Sequence, residues 1–183
     1  MMKVVSTNIG KRAIHQWKNK IAETGIFKEP TTTPIFLGLE DVENDSVVDR
    51  KYHGGIEQAM YAYSANHYEY WEKLYPNLSF DFGMFGENLT IADLDETTIC
   101  VGDVYQLGNS LVEVTKPREP CFKLIFRFQD EAIVKQFWNT TFSGVYFKIL
   151  QTGTVKKGDI LQLVEKAQNQ STIAEVYGKL KSS

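Results

Sequence analysis

The sequence predicts a single, mostly β domain with inserted α-helices and a β-barrel-like body. Three observations carry that reading. Segments rich in β-branched and aromatic residues recur at short spacing, with Gly-Asn and Gly-Asp turn signals beside them. Two patterns of helical period stand between those segments, in the middle of the chain. No repeat, low-complexity tract or linker divides the 183 residues, a length that suits one domain. Periodicity alone does not say whether such a sheet closes.

The strand segments are Lys3 to Asn8, Pro34 to Val42, the apolar and aromatic stretch Ile56 to Tyr63, Val104 to Leu107, Leu111 to Thr115, Val145 to Leu150, and Ile160 to Val164. A helix is expected over Ala65 to Leu74, with Tyr68, Trp71 and Leu74 at helical spacing before Pro76. A second follows over Asp130 to Trp138, with Ile133, Val134, Phe137 and Trp138 on one face. Thr172-Ile173-Ala174-Glu175 has the form of a capping box, in which Thr and Glu side chains each satisfy an otherwise unpaired N–H, so a short helix is expected over residues 171–180.

Composition narrows the function classes. Hydrophobic residues at 43% and aromatics at 13% are enough for a packed core and argue against disorder. A net charge of −3, from 20 basic and 23 acidic residues, gives no electrostatic ground for a nucleic acid or a membrane surface as partner. No segment approaches the roughly 20 apolar residues that span a bilayer. The apolar run at Met1 to Val5 is too short for a secretory leader. Two cysteines in unlike settings do not make a disulfide framework. The expected location is the cytoplasm.

Three segments have the residue types that carry chemistry. In Lys116-Pro117-Arg118-Glu119-Pro120-Cys121-Phe122-Lys123, two prolines deny both helix and regular strand pairing, so Cys121 sits at a stiff junction among cations. Cations near a cysteine favour the thiolate, which is the nucleophile and the metal ligand. The alternative, a small buried hydrophobe, stays open on these residues alone. Cys100, inside the apolar run Thr98-Ile99-Cys100-Val101, reads as core. In Asp49-Arg50-Lys51-Tyr52-His53-Gly54-Gly55, the glycine pair would let backbone N–H groups approach an anion; an ordinary turn with solvated charges is the competing reading. Gly83-Met84-Phe85-Gly86-Glu87-Asn88-Leu89-Thr90 suits a loop that lines a pocket, or a tight turn with Asn88 bonded to backbone. The aromatic stretch Tyr61 to Trp71 is better explained as core than as a binding cage. No Walker loop, dinucleotide fingerprint, zinc-ligand set or nucleophile elbow is present.

In this order, these segments resemble the MOSC family, the domain named for the C-terminus of molybdenum cofactor sulfurase. The likeness is closest to the stand-alone bacterial hydroxylaminopurine-resistance branch. It is carried by Lys51-Tyr52-His53-Gly54-Gly55, His67-Tyr68-Glu69-Tyr70-Trp71, Phe85 to Thr90 and Pro117 to Cys121, with Val101-Gly102-Asp103 and Gly158-Asp159 in support. It spans residues 35–164. The resemblance implies a MOSC-type barrel, like the β-barrel domain of pyruvate kinase, and the molybdenum cofactor (molybdopterin) as ligand. It implies Cys121 as catalytic residue and metal ligand, and makes Lys51, His53, Gly54, Gly55, Asn88, Arg118 and Lys123 the candidate cofactor-binding residues. Its enzymes reduce N-hydroxylated compounds. The chain carries no flavin, haem or iron–sulfur motif of its own, so the electrons are expected from a separate donor protein.

Two features depart from that branch. Its usual Gly-Asp and then Gln before the His-Gly-Gly are replaced here by Asn44-Asp45-Ser46-Val47, and only Thr172 to Leu180 corresponds to its helical extension. Two further functions remain alongside the reductase: a carrier holding a persulfide on Cys121, and a module that binds the cofactor without turnover. Arg118, three residues before Cys121 on the same short loop, is expected to fork onto the pterin phosphate, so its loss would lower cofactor occupancy sharply and leave the apo-protein's stability nearly unchanged. A brace between Arg118 and Glu119 or Asp103 is the structural alternative.

Overall fold

The computed structural model describes residues 1–46 and 54–181. Its strands are β1 (Lys3–Gly10), β2 (Ala13–Trp17), β3 (Lys20–Thr24), β4 (Lys28–Thr31), β5 (Ile35–Leu37), β6 (Met60–Ser64), β7 (Leu89–Ala92), β8 (Val104–Leu107), β9 (Ser110–Pro117), β10 (Val145–Gln151), β11 (Gly153–Val155) and β12 (Leu161–Glu165). The helices are α1 (Tyr68–Leu74), α2 (Leu124–Phe128), α3 (Ile133–Asn139) and α4 (Ile173–Lys181), with single 3-10 turns at Ile56–Gln58 and Ala65–His67. The mostly β class with inserted helices is therefore the observed one.

Eight strands form one sheet in the order β12-β8-β9-β10-β6-β7-β1-β4. Every neighbour pair is antiparallel except β6 and β7, which run parallel with Ala62 opposite Leu89. The barrel-like body is a large curved sheet and not a closed one: the ladder stops at β12 and β4. The start of β1, one strand in from the β4 end, nevertheless touches the chain entering β12. Lys3 bridges Ile160, and N–H groups of Val4, Gly158 and Leu161 donate to Asp159 O, Val4 O and Met2 O at 2.9, 2.8 and 2.9 Å. Competition for the outer edge of β1 is the reason. Thr7 to Gly10 are already paired with β4, so only the first residues of β1 are free to meet the chain entering β12.

The interior has two parts. Strand residues such as Val4, Ile91, Val112, Val114 and Phe147 make a mostly aliphatic cluster against the sheet. The helices cover an aromatic cluster of Tyr63, Trp71, Phe85, Phe128 and Phe137. There Trp71 Nε1 donates to the Tyr63 hydroxyl at 2.8 Å, so the one polar atom of the indole is satisfied inside the core. Of the stretch Tyr61 to Trp71, Tyr63, Tyr68 and Trp71 are core as its sequence suggested, whereas Tyr70 is exposed and the buried Tyr61 lines a pocket.

The capping box forms as read. Thr172 N–H donates to the Glu175 carboxylate at 2.9 Å, and Glu175 N–H to Thr172 Oγ1 at 3.2 Å. Thr172→Ala is expected to destabilise the domain by about 1 kcal/mol. Denaturant melts would show this as a lower midpoint at unchanged slope. An unchanged midpoint would mean that α4 is held by the packing of Ile173 and Tyr177 alone.

Strands β2, β3, β4 and β11 and helix α2 are not among the elements read from the sequence. The β2–β3 hairpin turns at Lys18 with φ +51° and lies largely at the surface, so it carries no buried alternating face. In α2, Leu124-Ile125-Phe126-Arg127-Phe128, every residue but Arg127 is buried, which erases the helical period.

Candidate functional site

The site lies at the end of the sheet where β1 and β9 finish and β4, β7 and β10 begin. The loop before β7 is shaped by one buried carboxylate. Glu87, wholly buried, accepts from the Tyr68 hydroxyl at 2.5 Å, Gly83 N–H at 2.9 Å, Phe85 N–H at 3.1 Å and Thr90 Oγ1 at 2.8 Å. Its carbonyls are met by cations: Arg118 Nη1 donates to Phe85 O, and Arg127 Nε to Met84 O at 3.3 Å. Gly86 takes φ +78°, and a Cβ there would stand 2.9 Å from Ile26 Cγ1, so glycine lets this loop lie against the chain leading into β4.

A pocket of about 620 Å³, counted with its open mouth, is bounded by this loop, the residues after β3, the segment ending at Ser46, the turn at Gly54 and the segment Arg118 to Lys123. Arg118 is 5% exposed. Its guanidinium lies 4.9 Å from the centre of the Tyr61 ring. Burial opposes that charge, but the phenols of Tyr61 and Tyr146 outweigh it, and the guanidinium holds its proton more tightly than usual. Tyr61 in turn donates to Ser143 O at 2.8 Å, and burial pushes its pKa well up. Cys121, half-buried and free, precedes α2, where Leu124 N–H donates to its carbonyl at 3.0 Å.

The opposite wall has a second polar group. Lys28 pairs with Asp45, whose carboxylate also accepts from Gly10 N–H and Asn88 Nδ2, each at 2.8 Å. Asn88 Oδ1 accepts Tyr61 N–H at 3.3 Å. Both readings of Asn88 therefore hold, since it is bonded to backbone and lines the pocket.

Cys121, Gly54, Asn88, Arg118 and Lys123 all line this one pocket, from segments as distant in sequence as 54 and 123. Gly55 stands beside it with φ +81° and opens the 3-10 turn, Gln58 N–H donating to its carbonyl at 2.9 Å. Lys51 and His53 lie outside the described residues. Neither expectation for Arg118 is met in full: it is a buried residue that braces a carbonyl. The brace is Phe85 O, while Asp103 pairs with Lys166 at 2.7 Å. Cys100 is half-buried, with its sulfur 3.4 Å from Lys166 Nζ, and is not among the pocket residues.

Sequence reasoning missed Lys28, Asp45, Tyr61 and Tyr146. Asp45 had a trace, because it falls where the chain departs from its resembling branch. Lys28 had none.

The model of the MOSC domain matches residues 49–162. The chain belongs to the MOSC domain family. It is 37% identical to protein YflK of Bacillus subtilis strain 168 over 165 residues, 90% of this chain and 74% of that one. A protein named "Reductase" from Gibberella moniliformis is 35% identical over 146 residues, covering 78% of this MOSC domain but only 26% of the fungal protein. The crystal structure of YiiM from Geobacillus stearothermophilus superposes with a TM-score of 0.81 at 35% identity, over 99% of this chain and 84% of that one. These likenesses agree with the stand-alone bacterial branch. Among the described residues, no helix is long and apolar enough to cross a membrane.

Proposed function

We propose that this MOSC domain holds a pterin-based molybdenum cofactor in the pocket and with it reduces N-hydroxylated compounds, of the kind of hydroxylaminopurine-type base analogues. One observation carries the reading: the thiol of Cys121 shares the pocket with the cations Arg118 and Lys123. One soft sulfur among cations fits a metal that arrives with its own ligands inside an anionic organic cofactor. When bound, that group would supply two-electron redox chemistry. Cys121 is the metal ligand. Lys123 and the N–H groups of Arg118 not spent on Phe85 O hold the phosphate, with the backbone at Gly54 and Gly55. Lys51 and His53, on the same segment, complete the proposed set, and Asn88 fixes the wall through Asp45.

A relative named a reductase supports an oxidoreductase role. This chain spans about a quarter of that protein, and a separate electron-donor protein is proposed to complete the reaction. The work of the domain is to bind, orient and shield, in a cytoplasmic setting.

Molybdenum content tests the reading. Protein from a host that makes the cofactor is expected to carry stoichiometric molybdenum, and protein from a host that cannot should carry none. Cys121→Ser is expected to purify folded without the metal, whereas Cys100→Ser keeps it. Labile sulfane sulfur on Cys121 without metal would replace the reductase by a persulfide carrier. Metal lost with Cys100 instead would reassign the ligand.

A further inference from the structure

The Lys28–Asp45 pair has a property that anion binding does not call for. Both side chains are buried, at 7% and 2% exposure. A lysine meant for a phosphate would bind it better without a carboxylate already on its ammonium. Nor is stability a sufficient reason, because the cost of taking two charges out of water roughly cancels their attraction. The surroundings fix the position of the pair. Asp45 is held by Gly10 N–H and by Asn88 Nδ2, and a Cβ on Gly10 would stand 3.1 Å from Lys28 Cγ.

The charged groups facing Lys28 come from three segments: Asp45 before residue 47, Glu87 from the loop before β7, and Arg118 from the end of β9. Burial is the largest influence on the ammonium and lowers its pKa, Asp45 and Glu87 raise it, Arg118 lowers it, and the net direction is down. Around the same pocket, Tyr61, Tyr146 and Arg118 all hold their protons more tightly than usual. Lys28 is the wall group that moves the other way, and it lines the cavity with Cys121.

Reduction of an N-hydroxyl group consumes two electrons and two protons. The N–O bond breaks, one new N–H bond forms on the amine and one new O–H bond on the departing oxygen, which leaves as water only once protonated. We propose that Lys28 is the proton donor of this site, passing its ammonium proton to the departing oxygen, with Asp45 and Asn88 as positioning residues. The proposal rests on the reductase reading above. The two electrons come from a reduced flavin- or iron–sulfur-bearing carrier protein. The second proton, which completes the amine, and the proton that restores Lys28 come from solvent.

A proton donor works only while protonated, so turnover falls as pH rises through the donor's pKa. Because the Lys28 pKa is lowered, that fall belongs at lower pH than an ordinary lysine would set. Two measurements on the full chain test this. In the apo-protein carrying lysine labelled with 13C at Cε, one lysine signal should titrate below the rest, and Lys28→Arg should abolish that signal. In molybdenum-loaded protein, hydroxylaminopurine turnover by Lys28→Met should drop by about two powers of ten, a typical general-acid effect. Its residual rate should lose the alkaline limb, with molybdenum content unchanged. A purely structural lysine would lower the rate at every pH and leave the limb in place. Retention of the wild-type limb by Lys28→Met, or an ordinary titration of the labelled lysine, overturns the donor role and leaves the reductase reading standing. Absence of turnover in loaded wild-type protein overturns the reductase reading, and the donor role with it.

Discussion

Glu87→Ala is expected to destabilise the domain by about 3–5 kcal/mol, lowering the melting temperature by on the order of 10 °C for a chain of this size. The carboxylate is the common acceptor for two backbone N–H groups, the Tyr68 hydroxyl and Thr90 Oγ1. Truncation leaves those donors without a partner in a site that water does not reach, and each buried orphan costs about 1–3 kcal/mol. It also removes the negative charge that faces Lys28 and Arg127 across the loop. Glu87→Gln separates the two effects. Oε1 takes three of the four bonds, so an amide can keep those and set its NH2 only against Phe85 N–H. The glutamine variant should fall between wild type and alanine. Melting curves of the three apo-proteins decide the point; an alanine variant within 1 kcal/mol of wild type would mean that the loop rearranges around the loss.

Arg118→Ala is expected to empty the site and to weaken the apo-protein together. Sequence proximity to Cys121 suggested a phosphate-binding fork that could be removed with little structural cost. The residue is instead buried, donating to Phe85 O and lying over Tyr61. Alanine leaves that carbonyl unpaired and opens a space beside the ring. A loss of about 2–4 kcal/mol follows from the charge-assisted bond together with the lost packing. Cofactor occupancy is expected to fall by one to two powers of ten, roughly the worth of one such bond to a phosphate. Arg118→Lys separates the two losses, since an ammonium can hold one acceptor but cannot serve a carbonyl and a phosphate through a planar fork. It should recover stability more than occupancy. Occupancy restored in full would show that Arg118 acts on the cofactor through loop architecture alone.

Much of the fold was legible locally. Strands β8, β9, β10 and β12 lie where β-branched and aromatic enrichment put them, and in β8 and β9 buried residues alternate, with one face in the core and one turned outward. The box at Thr172 and Glu175 needs only three residues of separation, so it too was readable. What failed locally was whatever lacked contrast: α2 is buried at every residue but Arg127, and the β2–β3 hairpin lies largely at the surface.

The sequence by itself determined the family, the mostly β class and the proline-framed position of Cys121, since each is written in residues that are neighbours in the chain. The tertiary structure alone decided which other groups share the pocket. Lys28, Asp45, Asn88 and Arg118 come from four separate segments, brought together because β1, β4, β7 and β9 end or begin on the same edge of one sheet. It also decided that Arg118 is a buried brace, and that the start of β1 touches the chain entering β12. Burial and the sharing of strand edges depend on what packs against a residue from elsewhere in the chain.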